Sequence, residues 1–166
     1  MVPDIDLQLR VVLKALRDVV APAIDPANRL AVEQLHLSIA TLGMVQARLP
    51  LAGARVRAEL ANAIALAEAA GGAGFGSLVA AAKAALDDPR CNADALEAQK
   101  TQLLAAVSGL VEDAPDGDSA DVLARAIVSA SRPQFDLIRA WCLSAGFEPD
   151  PEEVPVLETL LSGASA

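Results

Sequence analysis

This sequence is short of the residues that carry out chemistry. It has one histidine, His36, two widely separated cysteines, Cys91 and Cys142, and no tyrosine. Glu33 and His36 have the Glu-x-x-His spacing of carboxylate-bridged di-iron bundles, but such sites need a second pair, which a single histidine excludes. Neither cysteine belongs to a Cys-x-x-Cys pair or has a histidine nearby in sequence, so zinc binding and thiol catalysis are not expected. Small apolar filler is the expected role of both. The glycine-rich residues 72–77 lie before a predicted helix, where backbone amides hold phosphates in other proteins. The dinucleotide pattern also needs a strand before that loop, and a predicted helix stands there instead. No catalytic residue, metal site or cofactor is therefore assigned, and an enzyme is not expected.

Aromatics are equally scarce, three Phe and one Trp making up 2% of the chain, and runs of β-branched residues are few. Those are the materials of strands, so a sheet is excluded. Basic blocks are missing too. The 22 acidic and 13 basic residues give a net charge of −9, which repels a nucleic acid and gives an anionic membrane surface nothing to hold. The longest uncharged run, residues 69–82, is too short and too glycine-rich to span a bilayer. The first residues lack the basic-then-apolar order of a secretory signal, so a cytoplasmic location is expected.

What the chain does have is alanine, 36 of its 166 residues, within an apolar fraction of 54%. Alanine is the strongest helix former and lets helices approach closely. The length fits a core that needs no disulfide or metal. We predict a single all-α domain over residues 1–166, a bundle of about six to eight helices with long antiparallel helices one to three at its centre.

Apolar spacing and punctuation place the elements. Helix one is predicted at 6–20 and stops at Ala21-Pro22. Helix two is predicted at 26–49, capped by Asp25-Pro26; it is apolar nearly all round over its second half, which makes it the expected central helix, with Leu35 and Leu42 buried. Helix three continues to residue 70 with Val56, Leu60, Ile64 and Ala67 inward. A short helix four reaches residue 86, Asn92 caps a fifth ending near 111, and residues 112–118 form an acidic loop. Pro133 divides a sixth helix, 119–131, from a seventh ending at 145 before Gly146. Asp150-Pro151-Glu152-Glu153 is predicted to cap a last short helix ending at 161.

Two groups are candidate contact sites. Arg48, Arg55 and Arg57 cluster around the turn between helices two and three, suited to an anionic group or to plain surface solvation. Arg132, Phe135, Arg139, Trp141 and Phe147 concentrate the rare large side chains in one segment. Trp and Arg are enriched at the energetic centres of interfaces, whereas aromatics also close the ends of bundles, so both roles stay open here.

Residues 9–25, Leu-Arg-Val-Val-Leu-Lys-Ala-Leu-Arg-Asp-Val-Val-Ala-Pro-Ala-Ile-Asp, followed by a helix opening Pro-Ala-Asn-Arg-Leu-Ala, carry a resemblance. This amphipathic helix and its Val-x-Pro-x-Ile-Asp-like turn resemble a small all-helical bacterial family of unknown function. Its members accompany aminoglycoside-phosphotransferase-like kinases and acyl-CoA dehydrogenases in catabolic gene clusters. The resemblance stays within the first seventy residues and transfers no catalytic residue. It implies an accessory subunit whose partner is a kinase-like or acyl-CoA-processing enzyme, with a homo-oligomer as another form of association. The alternative from a different class is a bundle that binds a small apolar or acyl ligand. A closed apolar cavity of roughly 300 Å³ or more would favour the ligand binder, and an exposed apolar patch the partner subunit.

Overall fold

A computed structural model of the chain describes residues 4–71, 73–114, 117–146 and 148–162, and every regular element among them is helical. The fold is an all-α bundle, as the composition requires. The chain divides into two compact units, residues 1–51 with 142–148, and residues 52–141 with 149–166.

In the first unit helix α1, Ile5–Ala15, runs on through a π-helical stretch, Leu16–Val20, into a last turn, Ala21–Ala23. The helix thus runs to Ala23, through the Ala21-Pro22 pair predicted to stop it, and Pro22 lies within its last turn. It has no N–H for the carbonyl four residues back, and beside it the Ala21 N–H bonds to Leu16 O, five residues back. Helix α2, Arg29–Arg48, begins later than predicted. Asp25 closes a turn by accepting from the Ala27 N–H at 2.9 Å, and the cap is Asn28, whose Oδ1 accepts from the Ala31 N–H at 3.2 Å. The Gln46 side chain, near the end of α2, donates to Asp6 at the start of α1 at 2.8 Å, so the two helices run antiparallel.

The expected burial of α2 is corrected. None of its residues is buried: Leu35 and Leu42 are half-buried, and Leu30 and Leu37 are exposed. An apolar pattern on all sides of a helix does not say which side finds a neighbour.

In the second unit the central element is α3, Ala52–Ala70. Its inward stripe is the predicted one, with Leu60, Ile64 and Ala67 buried and Val56 packed beside them. Gly71, at φ +72°, ends the helix in the left-handed conformation that glycine adopts without strain. Helices α4, Gly76–Asp87, and α5, Ala93–Glu112, complete the core, α4 adding Ala82 and α5 Leu96, Leu103 and Val107. Small residues at the crossings, Ala63, Ala67 and Ala82, set the three helices close together. Asn92 caps α5 as predicted, its Oδ1 accepting from the Ala95 N–H at 2.8 Å.

The two helices predicted on either side of Pro133 are one, α6, Asp118–Cys142. Proline removes one internal bond, but inward-facing residues lie on both sides of it. Ile127 packs on the core before it, and Leu137 and Ala140 are buried after it, so tertiary contacts carry the helix through. The last element also differs. Pro151–Glu153 is a separate 3-10 turn, and α7, Leu157–Ser162, starts only beyond Pro155. Val154, the residue before that proline, is extended, as the proline ring demands.

Candidate functional site

The most chemically distinctive place in the second unit is a carboxylate on the apolar side of α3. Glu59 falls between Val56 and Ala63 on the inward stripe and is 7% exposed. Its Oε1 accepts from Arg55 Nε at 2.6 Å and its Oε2 from Lys100 Nζ at 2.6 Å. Lys100 lies on the inward stripe of α5, between Leu96 and Leu103, and also meets Glu97 at 2.7 Å. Burial pushes the Glu59 carboxyl up, but hydrogen bonds and charge from Lys100 and Arg55 outweigh it and hold the group below its ordinary range. Burial likewise pushes Lys100 down, and its bonds to Glu59 and Glu97 carry it above the ordinary lysine value. Both groups are therefore charged at neutral pH, and neither is tuned for proton transfer there.

Beside this pair lies a cavity of about 260 Å³ between α3, α5 and α6, open to solvent. Glu59, Lys100, Asn62, Ser131 and Gln134 are its polar lining residues, and Leu66, Leu104 and Phe135 its large apolar ones. Asn62 Nδ2 donates to Gln134 Oε1 at 3.1 Å, tying α3 to α6. A wider open groove of about 530 Å³ continues from Leu66 and Leu104 past Val107 and Val111 to Ile127. Helix α6 stands farther from its neighbours than α3, α4 and α5 do from one another, which is why the groove exists.

The segment singled out in the sequence is split by its helical spacing. Phe135 is 62% exposed at the cavity rim, and Arg132 is exposed. Asp136 lies 3.9 Å from Arg132 and 4.0 Å from Arg139. Trp141 turns the other way and is half-buried, with the Arg55 guanidinium 4.4 Å from its ring centroid. Phe147 lies outside the described residues.

The three arginines near the second interhelical turn do not act as one group. Arg55 serves Glu59 and Trp141. Arg57 donates to the carbonyls of Leu86 at 2.7 Å and Asp88 at 3.2 Å, closing the C-terminal end of α4. Arg48, at the end of α2, belongs to the first unit.

His36, Glu33 and Arg29 are all exposed on α2. Among the described residues no three His, Cys, Asp or Glu side chains gather as a metal site would require. Cys91 packs against the core, but Cys142 is exposed, which corrects its expected role as filler. In the glycine-rich stretch Gly72 lies outside the described residues, and so do Pro115 and Asp116 of the acidic loop. No helix among the described residues is long and apolar enough to cross a membrane.

Glu59, Lys100, Asn62 and Gln134 were not among the sequence candidates. The signal was a charged residue on an otherwise apolar stripe, once in α3 and once in α5. Comparison with protein-family models, curated proteins and solved structures finds no match for this chain.

Proposed function

We propose that this protein is a non-catalytic binding subunit whose docking surface is the outer side of α6 with the groove beside it. The single observation that carries this is the run of large apolar side chains left in solvent there: Val128 at 72%, Phe135 at 62% and Ile138 at 44% exposure. Across the groove Leu104 and Val111, seven residues apart on α5, are exposed as well. Large apolar side chains left in solvent along one side of a helix suit a surface that another chain covers. The buried Glu59 nearby is charged and satisfied by Arg55 and Lys100, which suits a structural role. By the N-terminal resemblance, the proposed partner is a kinase-like or acyl-CoA-processing enzyme.

The test compares the tagged full-length chain with its Val128→Asp/Phe135→Asp variant in extracts of the native host. Both positions are exposed, so the helical circular dichroism of the variant is expected to be unchanged. Capture of one defined partner is expected to weaken by about 2 kcal/mol or more, roughly 30-fold in affinity. Capture indifferent to both substitutions would remove the docking surface. The second reading, a binder of a small ligand, has only the cavity beside Glu59 in its support, and that cavity, about 260 Å³ and open to solvent, falls short of the closed one such a binder is expected to have. Native mass spectrometry showing a monomer with a constant extra mass would put that reading first.

A further inference from the structure

The cavity between α3, α5 and α6 holds hydrogen-bonding capacity that the fold does not use. Asn62 Nδ2 donates to Gln134 Oε1, and among the described residues neither side chain makes another hydrogen bond. A primary amide carries two N–H donors and an oxygen with two lone pairs, so one shared bond leaves a donor and an acceptor open on each partner. Exchanging the nitrogen and oxygen of both amides changes nothing in that remainder. Both side chains are half-buried and line the cavity. Lys100 uses two of its three N–H groups on Glu59 and Glu97, at 2.6 and 2.7 Å, and one is left over. Ser131 donates to the Ile127 carbonyl at 2.8 Å and keeps its acceptor side.

Charge decides which group can meet this lining. The carboxylates of Glu59 and Glu97 cancel the cations of Lys100 and Arg55, so a charged head group of either sign would leave water without finding an excess of the opposite charge. An uncharged one loses much less. Leu66, Leu104 and Phe135 supply apolar surface for a hydrocarbon body. A volume of about 260 Å³ keeps that body short, because sites for drug-sized ligands begin at roughly 300 Å³.

We infer that this cavity binds a small uncharged molecule whose head group both donates and accepts hydrogen bonds, in the simplest case a primary carboxamide on a short hydrocarbon chain, and that Asn62 and Gln134 recognise that head group. The ligand sits inside the cavity, whereas the partner proposed above covers the outer side of α6, so neither depends on the other.

Hexanamide, hexanoate and hexylammonium share one hydrocarbon body and differ in the head group, and NMR titration of the isotope-labelled full chain at pH 7 compares them. Hexanamide is expected to saturate, to shift the side-chain amide signals of Asn62 and Gln134, and to bind about tenfold or more tighter than either charged probe. Two variants at a half-buried position, each with circular dichroism expected to be unchanged, examine the head-group contact. Gln134→Glu still accepts from Asn62 but replaces the open N–H groups with a negative charge, so it is expected to weaken hexanamide about tenfold and to make hexylammonium the tightest of the three. Gln134→Leu removes the amide without adding charge and is expected to weaken hexanamide about tenfold while favouring neither charged probe. Hexanoate or hexylammonium bound by the unaltered chain as tightly as hexanamide overturns the uncharged head group. Hexanamide bound equally by the chain and both variants overturns the recognition by Gln134, and signals that move linearly up to the solubility limit, or only outside the cavity lining, overturn the inference as a whole.

Discussion

Leu60→Ala is expected to destabilise the protein by about 2–5 kcal/mol, and Leu42→Ala by about 1–2 kcal/mol, because the first opens a hole in a closed core and the second trims a half-solvated side chain. Leu60 has no exposed surface and is among the largest fully buried side chains of the chain. It sits where α3 faces both α4 and α5, so neither neighbour can close the gap without leaving the other. Urea unfolding followed by circular dichroism measures the difference as a shift in midpoint. Equal losses from the two substitutions would mean that α2 is as central as its apolar pattern suggests.

The second large effect is expected at Lys100. Lys100→Met keeps the length of the stem and removes the ammonium, leaving Glu59 Oε2 without its 2.6 Å partner in a site that is 7% exposed. A loss of about 1–3 kcal/mol at pH 7 is expected, the cost of a buried acceptor left partly unsatisfied while Arg55 still serves the other oxygen. The pH dependence follows from the direction of each shift. Glu59 is held below its ordinary pKa, so its ionisation contributes stability that is complete above the unfolded carboxyl value of about 4.3. That contribution is lost as pH falls through the lower folded value. Lys100 is held above its ordinary pKa, so its contribution is complete below the unfolded lysine value of about 10.4 and is lost as pH rises through the higher folded value. Between these limits the difference between wild type and Lys100→Met is expected to stay level, and to shrink as pH falls through the folded Glu59 value. Glu59→Leu/Lys100→Met, which removes both charges, is expected to recover part of the loss. A Lys100→Met chain as stable as wild type at pH 7 would show that the pair is idle.

How much was legible in the sequence depended on whether the deciding contact was local. The inward stripe of α3, Val56, Leu60, Ile64 and Ala67, is a spacing rule, and Asn92 and Gly146 are local punctuation; all of them hold in the structure. Pro133 and Pro155 show the limit of punctuation. The first sits inside a helix held by packing on both sides, and the second splits an element that the capping pattern at Asp150 had joined. The burial of α2 was not legible because Leu30 and Leu37 look like Leu60 until the neighbours are known.

The candidate site was legible in half. Phe135, Arg132 and Arg139 drew notice in the sequence, but Pro133 hid the continuous helix that sets Phe135 on one side with Val128 and Ile138. Glu59 and Lys100 lie 41 residues apart, too far for any local pattern to join. Each nevertheless occupied a stripe position where a charge demands a partner, and pairing the two anomalies would have found the site.

Amide hydrogen exchange of the full-length chain, alone and with its captured partner, tests most directly whether the outer side of α6 is the working surface. Exchange reports local opening residue by residue, so a covered helix stands out against one that is merely folded. The proposal predicts exchange slowed by about tenfold or more within residues 121–139 and on the facing residues 104–111, with α1 unchanged. Protection confined to residues 5–48, or none anywhere in the presence of a partner that is demonstrably bound, would contradict it.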